Sequence, residues 1–352
     1  MQKSTLTNTI LWTLALSIFV GCTDQAEHKA SVSMPGNQGS IIGGTNVEES
    51  NWLAKTAVFM LMEQVDPSDI TKVVQSSCTG VMVDKNIVLT AAHCVQGVES
   101  QHTYIFFSQD PLSKVEDLVK SGKVVMGQET RIHPNYNKEP GNIIQVILGP
   151  YFQNGDLALV KINGSAPADW NISNLSAAYV DTSVTDLIAA GFGKTISDVE
   201  SQDPAPTLLR TTNLRWPTPE NEKKSNDFLR GVLNEILNNP EVKFTDEEKQ
   251  SLNEMIALET YFPKDPQADY VFVDQNQGKG ICQGDSGGAA FAEVNGQRLV
   301  IGVASHVENL FDAKMACSYF GAYTNVLPYR EWIDTNYKEM KAPDAPKTTL
   351  FR

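Results

Sequence analysis

GICQGDSGGAAF, Gly280–Phe291, sets a serine among four glycines with an aspartate immediately before it. Gly284–Gly288 satisfies G-x-S-x-G, the spacing with which a strand-to-helix elbow lifts a nucleophilic hydroxyl above a parallel sheet. That arrangement needs βαβ patterning, with an acid and a histidine downstream of the serine. Only 66 residues follow Ser286, and the helices that would cover a parallel sheet are missing. The elbow reading therefore fails, and the partners of Ser286 must lie upstream.

Two upstream stretches supply them. IVLTAAHCV (Ile87–Val95) carries His93 directly after an apolar run, and NGDLALVKI (Asn154–Ile162) carries Asp156 at the head of an alternating one. A serine hydroxyl is a weak nucleophile until a neighbouring imidazole takes its proton. That imidazole must later pass the proton to the leaving group, and a buried carboxylate fixes its tautomer and stabilises the imidazolium. The chain order His, Asp, Ser is one of the known orders for this constellation. The glycines around Ser286 permit a tight turn whose Gly284 and Ser286 N–H groups can face a developing oxyanion.

The rest of the chain frames these residues. Short β-branched runs (KTAVFML, GVMVDKNIVLTAA, TYIFF, DLALVKI, then DLIAAGFG, YVFVDQ, RLVIGVAS) alternate with Gly, Pro, Asn and Asp, which predicts an all-β fold. A helical insertion is predicted at about residues 218–265. SNDFLRGVLNEILNN has helical spacing, and Thr245 with Glu248 forms a capping box before Leu252, Met255 and Ile256. PYREWIDTNYKEM reads as a terminal helix and residues 341–352 as a tail. With 352 residues and 41% hydrophobic content, two domains or subdomains can be built. A net charge of -14 argues against a nucleic-acid partner.

The N-terminus reads as an export signal over residues 1–21, whose apolar core Ile10–Val20 is too short to span a bilayer comfortably. It ends in FVGC, which resembles the lipobox of bacterial lipoproteins, with Cys22 as the lipidated residue and membrane lipid as its partner. Residues 22–40 read as a polar tether or propeptide. Five cysteines leave one odd thiol. If Cys22 takes lipid, Cys78, Cys94, Cys282 and Cys317 can pair in three ways, the local choice being Cys78–Cys94 and Cys282–Cys317. Both would persist in an oxidising compartment, which places the protein at a membrane or cell surface, or secreted.

IIGG at Ile41, LTAAHC ending at Cys94, HPNYN at His133, GDLALVKI, GFG at Gly191, GDSGG and YREWI together resemble the trypsin/chymotrypsin-like serine protease family over almost all of residues 41–340. The resemblance implies two packed six-stranded antiparallel β-barrels, over 41–170 and 171–340, with the cleft between them. It supports the two local disulfides and implies a serine endopeptidase acting on protein or peptide, with Ser286 as nucleophile, His93 as general acid/base and Asp156 as orienting acid. No metal or cofactor is required. His28, His102 and His133 read as ordinary surface or core residues.

The resemblance also assigns a substrate pocket. Its base falls on Gly280, which offers no carboxylate to a substrate Arg or Lys; Ile281 adds bulk. Ser305, His306 and Val307 stand on one wall and Gly321 on the other. Valine in place of the family's glycine narrows the pocket, so small apolar residues are expected there. Lastly, GNQGSIIGGTNV (Gly36–Val47) reads as a zymogen junction cut between Ser40 and Ile41, by another protease or by the enzyme itself. The freed ammonium would turn inward to pair with Asp285. A different class of reading, a surface-displayed binding or adhesion protein on the same fold, would carry these residues without turnover.

Overall fold

The computed structural model describes residues 41–66, 68–136, 155–195, 208–240, 242–309 and 311–341. The readings of residues 1–21 as an export signal, Cys22 as a lipidation site, residues 22–40 as a tether, Ser40 as the residue before a cut and the residues beyond 341 as a tail fall outside the described residues.

The first half is a closed six-stranded antiparallel barrel. A long hairpin, β2 (Ala57–Asp66) and β3 (Asp69–Asp84), leads to β4 (Ile87–Thr90), which pairs with β7 (Ala158–Ile162); β6 (Val124–Ile132) and β5 (Thr103–Phe106) return to β2. Val88, Leu89, Ile105, Leu159 and Val160 on its strands are fully buried, alternate residues facing the barrel interior and the packing around it.

The second half is a sheet in the order β10 (Arg210–Leu214), β9 (Leu187–Gly191), β12 (Ala289–Val294), β13 (Gln297–Glu308), β14 (Phe320–Asn325) and β11 (Tyr270–Asp274). These are the six strands expected of a second barrel, but no ladder closes it among the described residues. Its end strands approach through one bond, the Asp274 N–H donating to the Arg215 carbonyl at 2.8 Å. The reason lies at the N-terminus of the described chain. β1 (Thr45–Asn46) pairs with Thr211 and Arg210, occupying the edge of β10 that closure would use. A further short strand, β8 (Asn174–Leu175), runs parallel to β13.

One apolar cluster runs from the first barrel into the second sheet and on to the C-terminal helix, joining Phe59, Phe192, Phe291, Val303 and Ile333. Phe59 meets Phe192 edge-on at 5.4 Å and Trp52 meets Phe291 at 4.9 Å. The helix, Arg330–Lys341, buries Ile333 and Met340, and its Tyr337 and Lys341 reach Asp84 of the first barrel. His133 is buried between Tyr329 and Trp332, an aromatic core position.

The insertion is two helices, Pro219–Leu237 and Asp246–Ile256. Thr245 and Glu248 form the reciprocal capping box. Leu233 and Leu252 pack together, while Leu229 turns toward Phe262, in the connection to β11, and toward Phe272 and Phe320 of the second sheet. Phe228 remains partly exposed against Phe311.

Candidate active site

Strand register brings His93 and Asp156 together. Thr90 of β4 pairs with Ala158 of β7, so the helical turn after β4 and the residues before β7 emerge at the same end of the barrel. The His93 N–H donates to Asp156 Oδ1 at 2.9 Å, and Nδ1 lies 2.8 Å from Oδ2. With Nδ1 as donor, a neutral ring keeps Nε2 as its acceptor. Ser305 Oγ also donates to Asp156 Oδ2, at 2.6 Å. Ser305 had been expected as a pocket wall; its bond to the acid is an additional role that the motifs gave no sign of.

The electrostatics follow from burial and pairing. Burial works against the charge on Asp156, but the adjoining imidazole and the bonds from His93 and Ser305 outweigh it, and its pKa is lowered. Burial also disfavours the charged form of His93, yet the Asp156 carboxylate and their hydrogen bond prevail and raise its pKa. The pair is therefore built to accept a proton on the imidazole.

Ser286 arrives from the other half of the molecule. The turn before β12 docks onto the first barrel: the Thr79 N–H donates to the Ser286 carbonyl at 2.8 Å, and Thr79 Oγ1 to the Gly284 carbonyl at 3.1 Å. Gly287, at φ +80°, is required here, since a Cβ would collide with Thr79 and Thr90. Among the described residues, the N–H groups of Gly284 and Ser286 make no hydrogen bond within the chain. No bond joins Ser286 Oγ to His93 either. Such contacts are often loose without substrate.

The Cys78–Cys94 and Cys282–Cys317 disulfides are both present. The sulfurs of Cys78 and Cys94 gather near His93, but being bonded to each other they present no thiolate for a metal.

A small cavity of about 10 Å³ adjoins Ser286, between Ile281 and Cys282 on one side and Ala304 to Val307 on the other. Ser305, His306, Val307 and Ile281 all border this cavity. Gly280 and Gly321 do not line it. Gln275, fully buried, fills the space where a Cβ on either glycine would fall. His306 is pushed down to about 4 by burial and packs edge-on to Tyr270, so it lines the cavity as a neutral ring.

Asp285 lies behind the cavity, buried, and accepts N–H bonds from Gly193 (2.8 Å) and Cys282 (2.9 Å). Burial raises it to about 7 despite these bonds and the Arg210 charge. Arg210 also donates to the Gly44 carbonyl, tying the segment after Ile41 into the same region. Ile41 is fully buried beside Ile281 and Tyr323, and Ile42 exchanges backbone bonds with Gly280 at 3.0 and 3.1 Å.

Two halves meeting at a histidine–aspartate pair and a glycine-flanked serine define a serine-protease-like architecture. The chain belongs to the trypsin family, whose sequence description matches residues 41–333. It is 24% identical over 274 residues to pig complement C1s subcomponent, covering 75% of this chain and 32% of that protein. It is 22% identical over 309 residues to bovine chymotrypsin-like elastase family member 1 (85% and 90%), and 22% over 271 residues to rabbit vitamin K-dependent protein C (77% and 49%). The chain thus spans about a third of the pig C1s subcomponent's length. Among the described residues, no helix is long and apolar enough to cross a membrane.

Proposed function

We propose that this chain is a serine endopeptidase. Ser286 Oγ attacks the substrate carbonyl as His93 Nε2 takes its proton, and Asp156 orients the ring and stabilises the imidazolium. The Gly284 and Ser286 N–H groups receive the oxyanion, each worth about 3 kcal/mol in comparable sites. His93 then protonates the leaving amine, and water hydrolyses the acyl-enzyme. The observation that carries this reading is the 2.8 Å pairing of His93 with a buried Asp156 beside the unbonded Gly284 and Ser286 N–H groups.

The same reading makes the chain a zymogen cut between Ser40 and Ile41. Ile41 is held at φ +61°, an unfavourable region for a β-branched residue that costs on the order of 1–2 kcal/mol. Cutting the bond before Ile41 frees that dihedral and creates an ammonium that can offset the buried charge on Asp285. Substrates are proteins or peptides with a small apolar residue before the scissile bond, because the cavity beside Ser286 holds little more than one water or methyl. Ser40 before the cut is consistent with self-cleavage, and release from an anchor at Cys22 would accompany it.

A fluorophosphonate probe tests the central point. Protein beginning at Ile41 is expected to carry one adduct, mapped by mass spectrometry to Ser286 and lost in Ser286→Ala. A folded chain that takes no adduct would favour the binding-protein reading.

A further inference from the structure

We propose that Gln275 sets the depth of the substrate pocket by filling its floor. The inference rests on the protease reading and names a specificity-determining residue within it. Gln275 follows β11, where Val273 pairs with Gly321 of β14, and its own N–H donates to the Tyr319 carbonyl at 2.8 Å. That register sends its side chain back between Gly280 and Gly321, the two positions at which the pocket would otherwise open.

The carboxamide is held at both ends. Oε1 accepts from the Ile281 N–H at 2.7 Å, while Nε2 donates to the carbonyls of Ile281 at 3.0 Å and Cys317 at 2.7 Å. Swinging it aside for a long substrate side chain would orphan three buried backbone groups, each costly to leave unmade. The bonds also fix Ile281, whose buried side chain borders the cavity beside Ser286. Any side chain at Gly280 or Gly321 would collide with Gln275. Glycine at the pocket base is thus a consequence of the filled floor, and side chains larger than alanine meet packed protein.

The test is steady-state hydrolysis by protein beginning at Ile41, using peptides that differ only in Ala, Val, Leu or Phe before the scissile bond. Active sites are counted by fluorophosphonate. The parent should prefer Ala over Leu by at least about tenfold, since one methylene is worth roughly 10- to 200-fold in such a pocket. Gln275→Ala should raise the Leu-to-Ala ratio of kcat/KM at least about tenfold. Gln275→Asn, one methylene shorter, should raise the Val-to-Ala ratio by about tenfold if the alanine variant fails to fold. Gln275→Met fills the space without the bonds and should keep the parent's order. Unchanged ratios in whichever shortened variant gives titratable sites, or a Leu preference in Gln275→Met, would overturn the proposal. A parent that takes no probe at Ser286 would instead remove the protease reading beneath it.

Discussion

Asp285 is a carboxyl in a place where ionisation is costly. Burial raises it from the ordinary 3.8 to about 7, against the Gly193 and Cys282 N–H groups and the Arg210 charge. A carboxyl raised on folding contributes stability that is full below about pH 4 and lost as pH rises through about 7. Uncut Ser286→Ala protein should therefore show this loss, and adding Asp285→Asn should remove it. The stability difference between the two, from urea unfolding, should move in favour of the Asn variant between about pH 4 and 7 and level off above about 8. A difference constant with pH would contradict the raised carboxyl. Ser305 makes a second case. The ladder between β13 and β14 shifts between Ala304 and His306, and such an irregularity re-aims the intervening side chain, here onto Asp156. Hydrogen bonds to charged groups contribute about 1.5–3 kcal/mol to folded stability, so Ser305→Ala should lower the free energy of urea unfolding by about that amount and should also reduce kcat/KM, because the buried Asp156 loses a donor. His93, Asp156 and Ser286 could be picked out in the sequence because each sits in a run of distinctive neighbours. The bond from Ser305 could not, because it depends on a register shift that no local pattern encodes.

At the scale of elements, the inserted helices were legible because both determinants are local. Apolar spacing marks Leu229 and Leu233, and the Thr245–Glu248 box marks the start of the second helix. Which neighbour each face would choose was not legible. Leu229 joins the second sheet, whereas Phe228 meets Phe311 in the segment leading to Cys317. Thr245→Ala removes an N-cap, a loss of about 1 kcal/mol. Amide exchange across Asp246–Ile256 should accelerate about fivefold while peptide hydrolysis is unchanged. Slowed hydrolysis in that variant would mean the hairpin is coupled to Ser286. The filled pocket follows the same division. Gly280, Val307 and Ile281 hinted at a small pocket, but Gln275 reaches it only through the pairing of β11 with β14.

Across the whole molecule, each half supplies what the other lacks. The first barrel orients His93 and Asp156 by the register of β4 and β7, the second sheet presents Ser286, and Thr79 bonds to the serine turn across the junction. Strand-like runs predicted the all-β class and the family resemblance implied two six-stranded barrels, yet β1 takes the edge where the second barrel would close. A two-residue strand has too little pattern to be seen in sequence, and its place depends on the burial of Ile41. The most direct test of the account is the rate at which protein beginning at Ile41 hydrolyses a peptide with alanine before the scissile bond, compared with its Ser286→Ala variant. The account predicts a rate rising with pH through a His93 pKa above 6.5 and falling by about 10⁶-fold in the variant. Hydrolysis of that peptide at similar rates by both proteins, or by neither, would contradict it.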